Sequence, residues 1–279
     1  MASGYYQVEI SEEDRKKTAF ITRYGLFEHT RMGMGLCNAP ATFQRAMQLL
    51  LRGLTWNQVL VYLDDVIVLG KDFADGLANL RTALQRFREH SLKLKPKKCN
   101  LFRAETEFLG EVVSSTGISI APSKIEAVKA WPRPNTPNEV LAFLGFLNYH
   151  RDHLKDFASL SACLYDLAHT KGTFLWEEAH EEAFIRAKTA LVSAPCLSYP
   201  RPECLFVLDT DASDHAIGAV LSQVQGGKET VICYASHVLL KPQRKYCTTR
   251  KELLAVVKFC RHFRHYLLGR RFMVRTDHN

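Results

Sequence analysis

The chain has 279 residues, 47% of them hydrophobic, and a formal net charge of +8. That length accommodates two domains, or one domain with an appendage, and the apolar fraction excludes a disordered chain. The positive charge favours nucleic acid over a membrane surface as the anionic partner, since no stretch approaches the ~20 apolar residues of a membrane span and the N-terminus has no apolar signal core. Eight scattered cysteines contain no Cys-x-x-Cys pair, which argues against a zinc knuckle or a disulfide framework and for a reducing compartment.

Residues 6–10 and 18–22 read as two strands of a hairpin, with the mixed charges of residues 11–17 at its solvated tip. Gly33 and Gly35 then sit in a turn where the backbone can approach something closely. Asn38 is placed to cap a helix with Pro40 in its first turn, and Phe43, Met47, Leu50 and Leu51 recur at helical spacing toward a core. By composition alone this is a loop–helix junction with no ligand.

Val59-Leu60-Val61-Tyr62 and Val66-Ile67-Val68-Leu69 are short apolar runs free of Gly and Pro, and read as buried strands. They predict a tight hairpin with Asp64 and Asp65 both at its tip. An ordinary turn would be served by Asp-Gly or Asn-Gly, and no residue here suits a positive φ. Two adjacent carboxylates repel unless a cation sits between them, and a hard divalent ion such as Mg²⁺ takes oxygen ligands.

A helix is expected over about residues 74–90, with Leu77, Leu80, Leu84 and Phe87 on its inner face. Leu92-Lys93-Leu94-Lys95 reads as a strand with Leu inside and Lys outside, either a solvated edge or a phosphate-facing one. Residues 108–113 and 118–120 predict another hairpin. From Pro122 the pattern turns helical. Ser123 with Glu126, and Thr136 with Glu139, both fit the capping box, and the prolines around Arg133 break the helix between them. Leu141, Leu144, Leu147, Leu154 and Phe157 form an amphipathic run, residues 177–192 a further helix, and residues 195–202 a proline-containing linker. His150, His153, His262 and His265 lack a third ligand and read as surface helix residues rather than zinc ligands.

A new α/β unit begins at Cys204. Strands are expected at 205–208, 216–221, 231–235 and 272–276, with a helix from Thr249 through Leu268 that turns Leu253, Val256, Val257 and Cys260 inward. Asp211, Glu252 and Asp277 then fall at a strand end, a helix start and a strand end. Each has a local explanation: a turn residue, the third helical residue of a Thr249 capping box, and a strand terminator. Three acids meeting at one end of a sheet would instead make a metal site.

Taken in order, Gly4-Tyr5-Tyr6-Gln7-Val8, the run from Gly35 to Gln44, Tyr62-Leu63-Asp64-Asp65 and Phe108-Leu109-Gly110 resemble the reverse transcriptase of gypsy-type LTR retrotransposons. Thr210-Asp211-Ala212-Ser213, the run from Lys251 to Val256 and Thr276-Asp277-His278 resemble the RNase H domain that follows it. The resemblance covers essentially the whole chain. It implies an α+β and α/β fold: a right-hand polymerase palm with partial fingers over residues 1–121, a helical thumb and tether over 122–203, and a truncated RNase H-like mixed-sheet domain over 204–279. It implies RNA-directed DNA polymerase and RNase H activity, by two-metal nucleotidyl transfer and hydrolysis of the RNA strand in RNA–DNA hybrids.

By the same resemblance, Asp64 and Asp65 match the palm acids that hold two Mg²⁺ ions, with Mn²⁺ as the alternative ion. Asp211, Glu252 and Asp277 match three acids that bind Mg²⁺ in the nuclease. Tyr5 matches the residue that stacks under the incoming sugar and excludes a 2′-hydroxyl, while Met34 and Gly35 fall in the loop lining the nucleotide pocket. Phe108, Leu109 and Gly110 match the hairpin that grips the primer end. The implied partners are an RNA template, a DNA primer, the RNA–DNA hybrid and deoxynucleoside triphosphates, with no membrane, in the cytoplasm or in virus-like particles.

Some residues depart from the pattern. The usual Met-Pro-Phe-Gly-Leu stands here as Met32-Gly33-Met34-Gly35-Leu36, which implies a looser pocket loop. Aligning on Ala2-Ser3-Gly4-Tyr5 puts the third polymerase carboxylate immediately before Met1, and the fourth nuclease acid beyond Asn279. The expectation is therefore a fragment whose polymerase activity is impaired, and the alternative is a catalytically dead retroelement relic that binds nucleic acid.

Overall fold

The apolar residues gather into three separate cores rather than one. In the computed structural model, which describes residues 1, 3–170 and 172–276, the chain divides into two units, Met1–Phe108 and Leu109–Asn279. One core lies in the first unit and two lie in the second.

The first unit runs from a 3₁₀ turn at Gly4–Gln7 through α1 (Glu12–Arg15), β1 (Phe20–Thr22), β2 (Gly25–Phe27), α2 (Ala39–Leu50), β3 (Val59–Tyr62), β4 (Asp65–Val68) and α3 (Phe73–Glu89) to β5 (Glu105–Phe108). Helix α2 carries the core. Phe43, Met47 and Leu50 line its inner face and are buried with Val59, Ala83 and Phe87. Pro40 sits in its first turn, where no N–H is needed, and Asn38 is the N-cap but makes no side-chain cap bond. Helix α3 begins at Asp72, whose carboxylate accepts from the Asp75 amide at 2.9 Å. Its buried residues are Asn79, Ala83 and Phe87, and Leu84 is exposed. The inward stripe is a straight i, i+4 line through a polar residue, because Asn79 Nδ2 donates to the Leu69 carbonyl at 2.9 Å.

Two expected strands are absent. Residues 6–10 do not pair with 18–22: β1 pairs with β2, Phe20 opposite Phe27, and the chain before it closes as the 3₁₀ turn and a single bridge from Glu9 to Arg31. Residues 92–95 are irregular. Their backbone groups find a side chain instead of a ladder: Gln7 donates through Nε2 to the Lys93 carbonyl at 3.1 Å and accepts from its amide at 2.7 Å. One carboxamide thereby does the work of a neighbouring strand.

The second unit opens with β6 (Glu111–Ser114) antiparallel to β7 (Ile118–Ile120). Helices α4 (Pro122–Lys129), α5 (Pro137–Tyr149), α6 (Phe157–Ala168) and α7 (Glu178–Val192) then enclose a core of Phe143, Leu144, Leu147, Leu164, Phe184 and Leu191. Thr136 caps α5 as expected, accepting from the Glu139 amide at 3.2 Å. For α4 the cap is Ala121, so Ser123 lies inside the helix. The stretch 195–202 is tied down rather than free. Leu197 is buried, bridges Ile118 in both directions at 2.8 Å, and is followed by a bond from the Ser198 amide to the Val231 carbonyl at 2.8 Å.

Strands β8 (Phe206–Ala212), β9 (Ala216–Gln225) and β10 (Lys228–Val238) form an antiparallel meander. After the short α8 (Lys241–Arg244), helix α9 (Thr248–His262) and the single turn of α10 (Arg264–Leu267), strand β11 (Phe272–Thr276) joins β8 in parallel. The sheet order is β10-β9-β8-β11. On α9 the buried stripe is Lys251, Glu252, Ala255 and Phe259, while Leu253 and Val257 are exposed. The expected face is therefore rotated. Periodicity turns charged residues outward, but here both find partners: Lys251 Nζ meets Asp214 at 2.6 Å, and Glu252 accepts from the Ala212 amide at 3.0 Å. No helix among the described residues is long and apolar enough to cross a membrane.

His150 and His153 are 1% and 2% exposed, not surface residues. His150 packs edge-on against Phe146 and Tyr149, its Nδ1 has no hydrogen-bond partner among the described residues, and burial pushes its pKa below the ordinary 6.5. His237 and His262 shift the same way from burial.

Two outcomes follow for stability. Phe143 is fully buried, with Phe184 at 4.6 Å and Trp131 at 5.6 Å between ring centroids. Phe143→Ala is expected to cost about 3–5 kcal/mol, read as a lowered urea midpoint. For the histidines, folding lowers the pKa, so the unfolded chain binds more protons once pH falls below the ordinary value of 6.5. Stability is full above that value and is lost as pH falls toward the folded pKa. The melting temperature should drop between pH 7.5 and 5.5, and less steeply in His150→Phe.

Candidate functional site

The β3–β4 register pairs Tyr62 with Asp65, which leaves Leu63 and Asp64 as the two-residue loop. The two acids do not share the tip: Asp64 is in the turn and Asp65 opens the returning strand. The loop does require a positive φ, and Leu63 supplies it at 50°. A branched side chain in that region costs about 1–2 kcal/mol, so something must hold it. Gln44, midway along α2, does so. Its Oε1 accepts from the Leu63 amide at 2.6 Å and its Nε2 donates to the Val61 carbonyl at 3.3 Å. Asp64 and Asp65 are both exposed, and among the described residues neither carboxylate enters an ion pair or a side-chain hydrogen bond.

The 3₁₀ turn at Gly4–Gln7 closes over this hairpin. A side chain on Gly4 would overlap both Asp64 Oδ1 and the Phe43 ring, so only glycine lets the backbone approach the acid. Tyr5 follows directly, its ring edge-on to Phe43 at 5.4 Å. The Met1 amino nitrogen donates to the Asp64 carbonyl at 3.5 Å. Gly4 and Asp64 thus come together across sixty residues of sequence, with α2 as their common support. Met34 is 72% exposed and Gly35 has φ 89°, in the loop that leads into α2. Among the described residues, no hydrogen bond joins them to the acids.

Phe108 ends β5, and Leu109 and Gly110 form the turn before β6 with φ of 53° and 80°. Two successive positive φ values are the signature of a type I′ hairpin turn.

In the second unit, β11 runs beside β8 with Thr276 opposite Thr210, which brings the end of β11 level with the end of β8. Glu252 is 5% exposed and stands at this point: Oε1 accepts from the Ala212 amide and Oε2 from Thr276 Oγ1 at 3.3 Å. The N-cap of α9 is Cys247, so Thr249 is already inside the helix and does not form the expected capping box with Glu252. Asp277 lies outside the described residues. Asp209 is neutralised by the Arg275 guanidinium, which also meets Glu229 at 2.6 Å, whereas Asp211 has no such partner among the described residues. Asp211 lines a cleft of about 440 Å³ with Lys155, Asp156, Arg186 and Gly218. Asp156 is the residue that sequence reasoning missed. It precedes α6 in a left-handed conformation without capping it, and its carboxylate fills the space that a side chain on Gly218 would take. Burial, and secondarily the charge of Asp211, hold its carboxyl above the ordinary carboxylate range, against the opposing effect of Lys155. Among the described residues, no three His, Cys, Asp or Glu side chains group closely enough to hold a metal ion.

Residues 1–146, more than half of the 279, match the family described as "Reverse transcriptase (RNA-dependent DNA polymerase)". The chain belongs to the reverse transcriptase family. Residues 176–274 match the "RNase H-like domain found in reverse transcriptase". The whole chain is 39% identical to the retrovirus-related Pol polyprotein from transposon 297 of Drosophila melanogaster, and 33% identical to that from transposon gypsy of the same organism. It spans 26% and 28% of those two polyproteins, about a quarter of their length. Among solved structures it resembles the foamy viral protease-reverse transcriptase. The complex with dsDNA matches at TM-score 0.86 and 25% identity, over 98% of this chain and 57% of that one. The complex with RNA/DNA hybrid matches at TM-score 0.83 and 24% identity, over 98% and 37%. These likenesses agree with the expected fold class. Domains of both families generally depend on divalent metal ions.

Gln44→Ala removes both bonds that hold the Leu63 turn. It is expected to cost about 1–2 kcal/mol in urea unfolding, as two part-buried backbone groups lose their partner.

Proposed function

We propose that the chain is the polymerase and RNase H segment of a retrotransposon Pol polyprotein and acts as an RNA-directed DNA polymerase with a linked ribonuclease H. The fingers and palm span residues 1–121, the thumb and tether 122–203, and the RNase H-like domain 204–279. The observation that carries this reading is the pair Asp64–Asp65 on a strained hairpin, both carboxylates without a countercharge among the described residues and the Gly4–Tyr5 backbone closed over them.

Two uncompensated carboxylates with only oxygen donors suit a hard divalent cation, Mg²⁺ first and Mn²⁺ as the alternative. Asp64 and Asp65 would hold it, and when bound it supplies activation of the primer 3′-hydroxyl and stabilisation of the leaving pyrophosphate. The chain's own residues set the geometry. The turn at Leu63, pinned by Gln44, fixes the carboxylates relative to α2. Tyr5, steadied by Phe43, is the flat wall under the incoming sugar and disfavours a 2′-hydroxyl. Met34 and Gly35 border the nucleotide pocket, where the exposed Met34 is free to pack on a base. Phe108, Leu109 and Gly110 hold the primer end. In the nuclease, Asp211, Glu252 and Asp277 are the metal ligands. Glu252 is buried and oriented by the Ala212 amide and the Thr276 hydroxyl. The net charge of +8 supports an RNA template, a DNA primer and their hybrid as partners.

The test is Mg²⁺-dependent primer extension on an RNA template, with this chain and with a version lengthened upstream. Asp64→Asn and Asp65→Asn should each lower extension on the order of 10²-fold or more, and EDTA should abolish it. Asp211→Asn and Glu252→Gln should stop cleavage of the RNA strand and leave extension intact. Undiminished extension by the Asp64 and Asp65 variants overturns the assignment. Silence in both lengths, with salt-sensitive binding of the hybrid, replaces it with the non-catalytic binding protein that the basic charge also supports.

A further inference from the structure

The turn at Leu109–Gly110 is fastened at three points to the helices that follow it. Tyr149, the last residue of α5, is 60% exposed, a position where a phenol ordinarily meets water. Its Oη instead donates to the Leu109 carbonyl, 40 residues earlier, at 2.5 Å. The Gly110 carbonyl accepts from the Ala121 amide at 3.2 Å, at the start of α4. A Cβ on Gly110 would lie tight against Lys124 Cε at 3.3 Å and in ordinary contact with the Tyr149 ring at 4.0 Å, so both stand over the turn.

The third fastening is beneath. His153 is 2% exposed, and its Nε2 meets Glu111 Oε1, in the first residue of β6, at 3.2 Å. Its Nδ1 meets the Pro195 carbonyl at 3.3 Å. The ring thus lies between the Glu111 carboxylate and the Pro195 carbonyl. The Glu111 side chain is 31% exposed, so the contact is weak as a source of stability, and its role is geometric. Between Tyr149 and His153 in sequence lies the buried ring of His150, edge-on to Tyr149 at 4.9 Å.

We propose that Tyr149 and His153 are positioning residues that set the height and tilt of the Leu109–Gly110 turn so that it receives the recessed 3′ end of a primer. The inference rests on the reading of that turn as a primer contact. Neither side chain touches the reacting atoms. Tyr149 holds the turn by its carbonyl, and His153 holds the stem of its hairpin by Glu111.

The experiment is fluorescence anisotropy on the full chain with two labelled probes of equal length: a DNA primer on a longer RNA template, leaving a recessed 3′ end, and a blunt duplex. The unmodified chain should prefer the recessed end. Tyr149→Phe, which removes one oxygen from an exposed side chain and cannot unfold the core, should weaken binding of the recessed probe about three- to tenfold and leave the blunt duplex within about twofold. His153→Gln and Glu111→Gln should do the same, with melting curves run beside them to confirm folding. Retention of the preference by Tyr149→Phe overturns the proposal. An unmodified chain that binds both probes equally overturns the primer role of the turn and the proposal with it. An unmodified chain that binds neither overturns the nucleic-acid reading itself.

Discussion

The first unit depends on one carboxamide. Gln44 spans the Val61 carbonyl and the Leu63 amide and so stabilises a leucine in a left-handed turn that its side chain disfavours. Because Gln44 shares α2 with Phe43 and Met47, the position of the acidic hairpin is set by the same helix that forms the core. Phe43 also abuts the Gly4 position and the Tyr5 ring. Core packing and the disposition of the acids are therefore one constraint. A disturbance of α2 reaches Asp64 through two hydrogen bonds and one aromatic ring.

The second unit solves a similar problem with a buried acid rather than a strained turn. Glu252 is drawn into the α9–sheet contact and satisfied there by the Ala212 amide and Thr276 hydroxyl, one on each of the two strands whose ends it joins. The contact between α9 and the sheet is hydrophobic, lined by Phe206 and Leu208 of β8 and Phe259 of α9. Asp211 instead opens on the cleft of Asp156, Lys155 and Arg186. The two acids approach the end of β8 from different surroundings, one fixed by packing and the other accessible.

Side chains repeatedly replace the regular backbone pairing that a pattern would forecast. Gln7 pairs with Lys93 in place of a strand. Asn79 and Glu252 enter buried stripes because each has a specific partner. His150 and His153 are buried for the same reason that they escape an apolar count: their rings pack on aromatics and carbonyls rather than on aliphatic neighbours. Glu252 and His153 are admitted to the interior because partners about forty residues away meet them, whereas the His150 ring packs on the nearby Phe146 and Tyr149.

The sequence by itself determined which stretches are strands and helices where one face is uniformly apolar: β3 and β4, α2, α5, α7 and the four strands after Cys204. It also determined the family, through short motifs whose order is carried by the chain itself. Only the tertiary structure decided the rest. It decided that Asp64 alone occupies the turn, since the register depends on Gln44 reaching Leu63 from another element. It decided that Glu252 and Lys251 face inward, since their partners Ala212 and Asp214 are about forty residues away. It also revealed Asp156, whose only mark in the sequence is an aspartate before a helix, a feature that local capping would account for. Periodicity reports what a residue wants of its nearest neighbours on the chain. A polar group that is buried, or a backbone held at a positive φ, depends on a partner brought by the fold, and no local pattern carries that information.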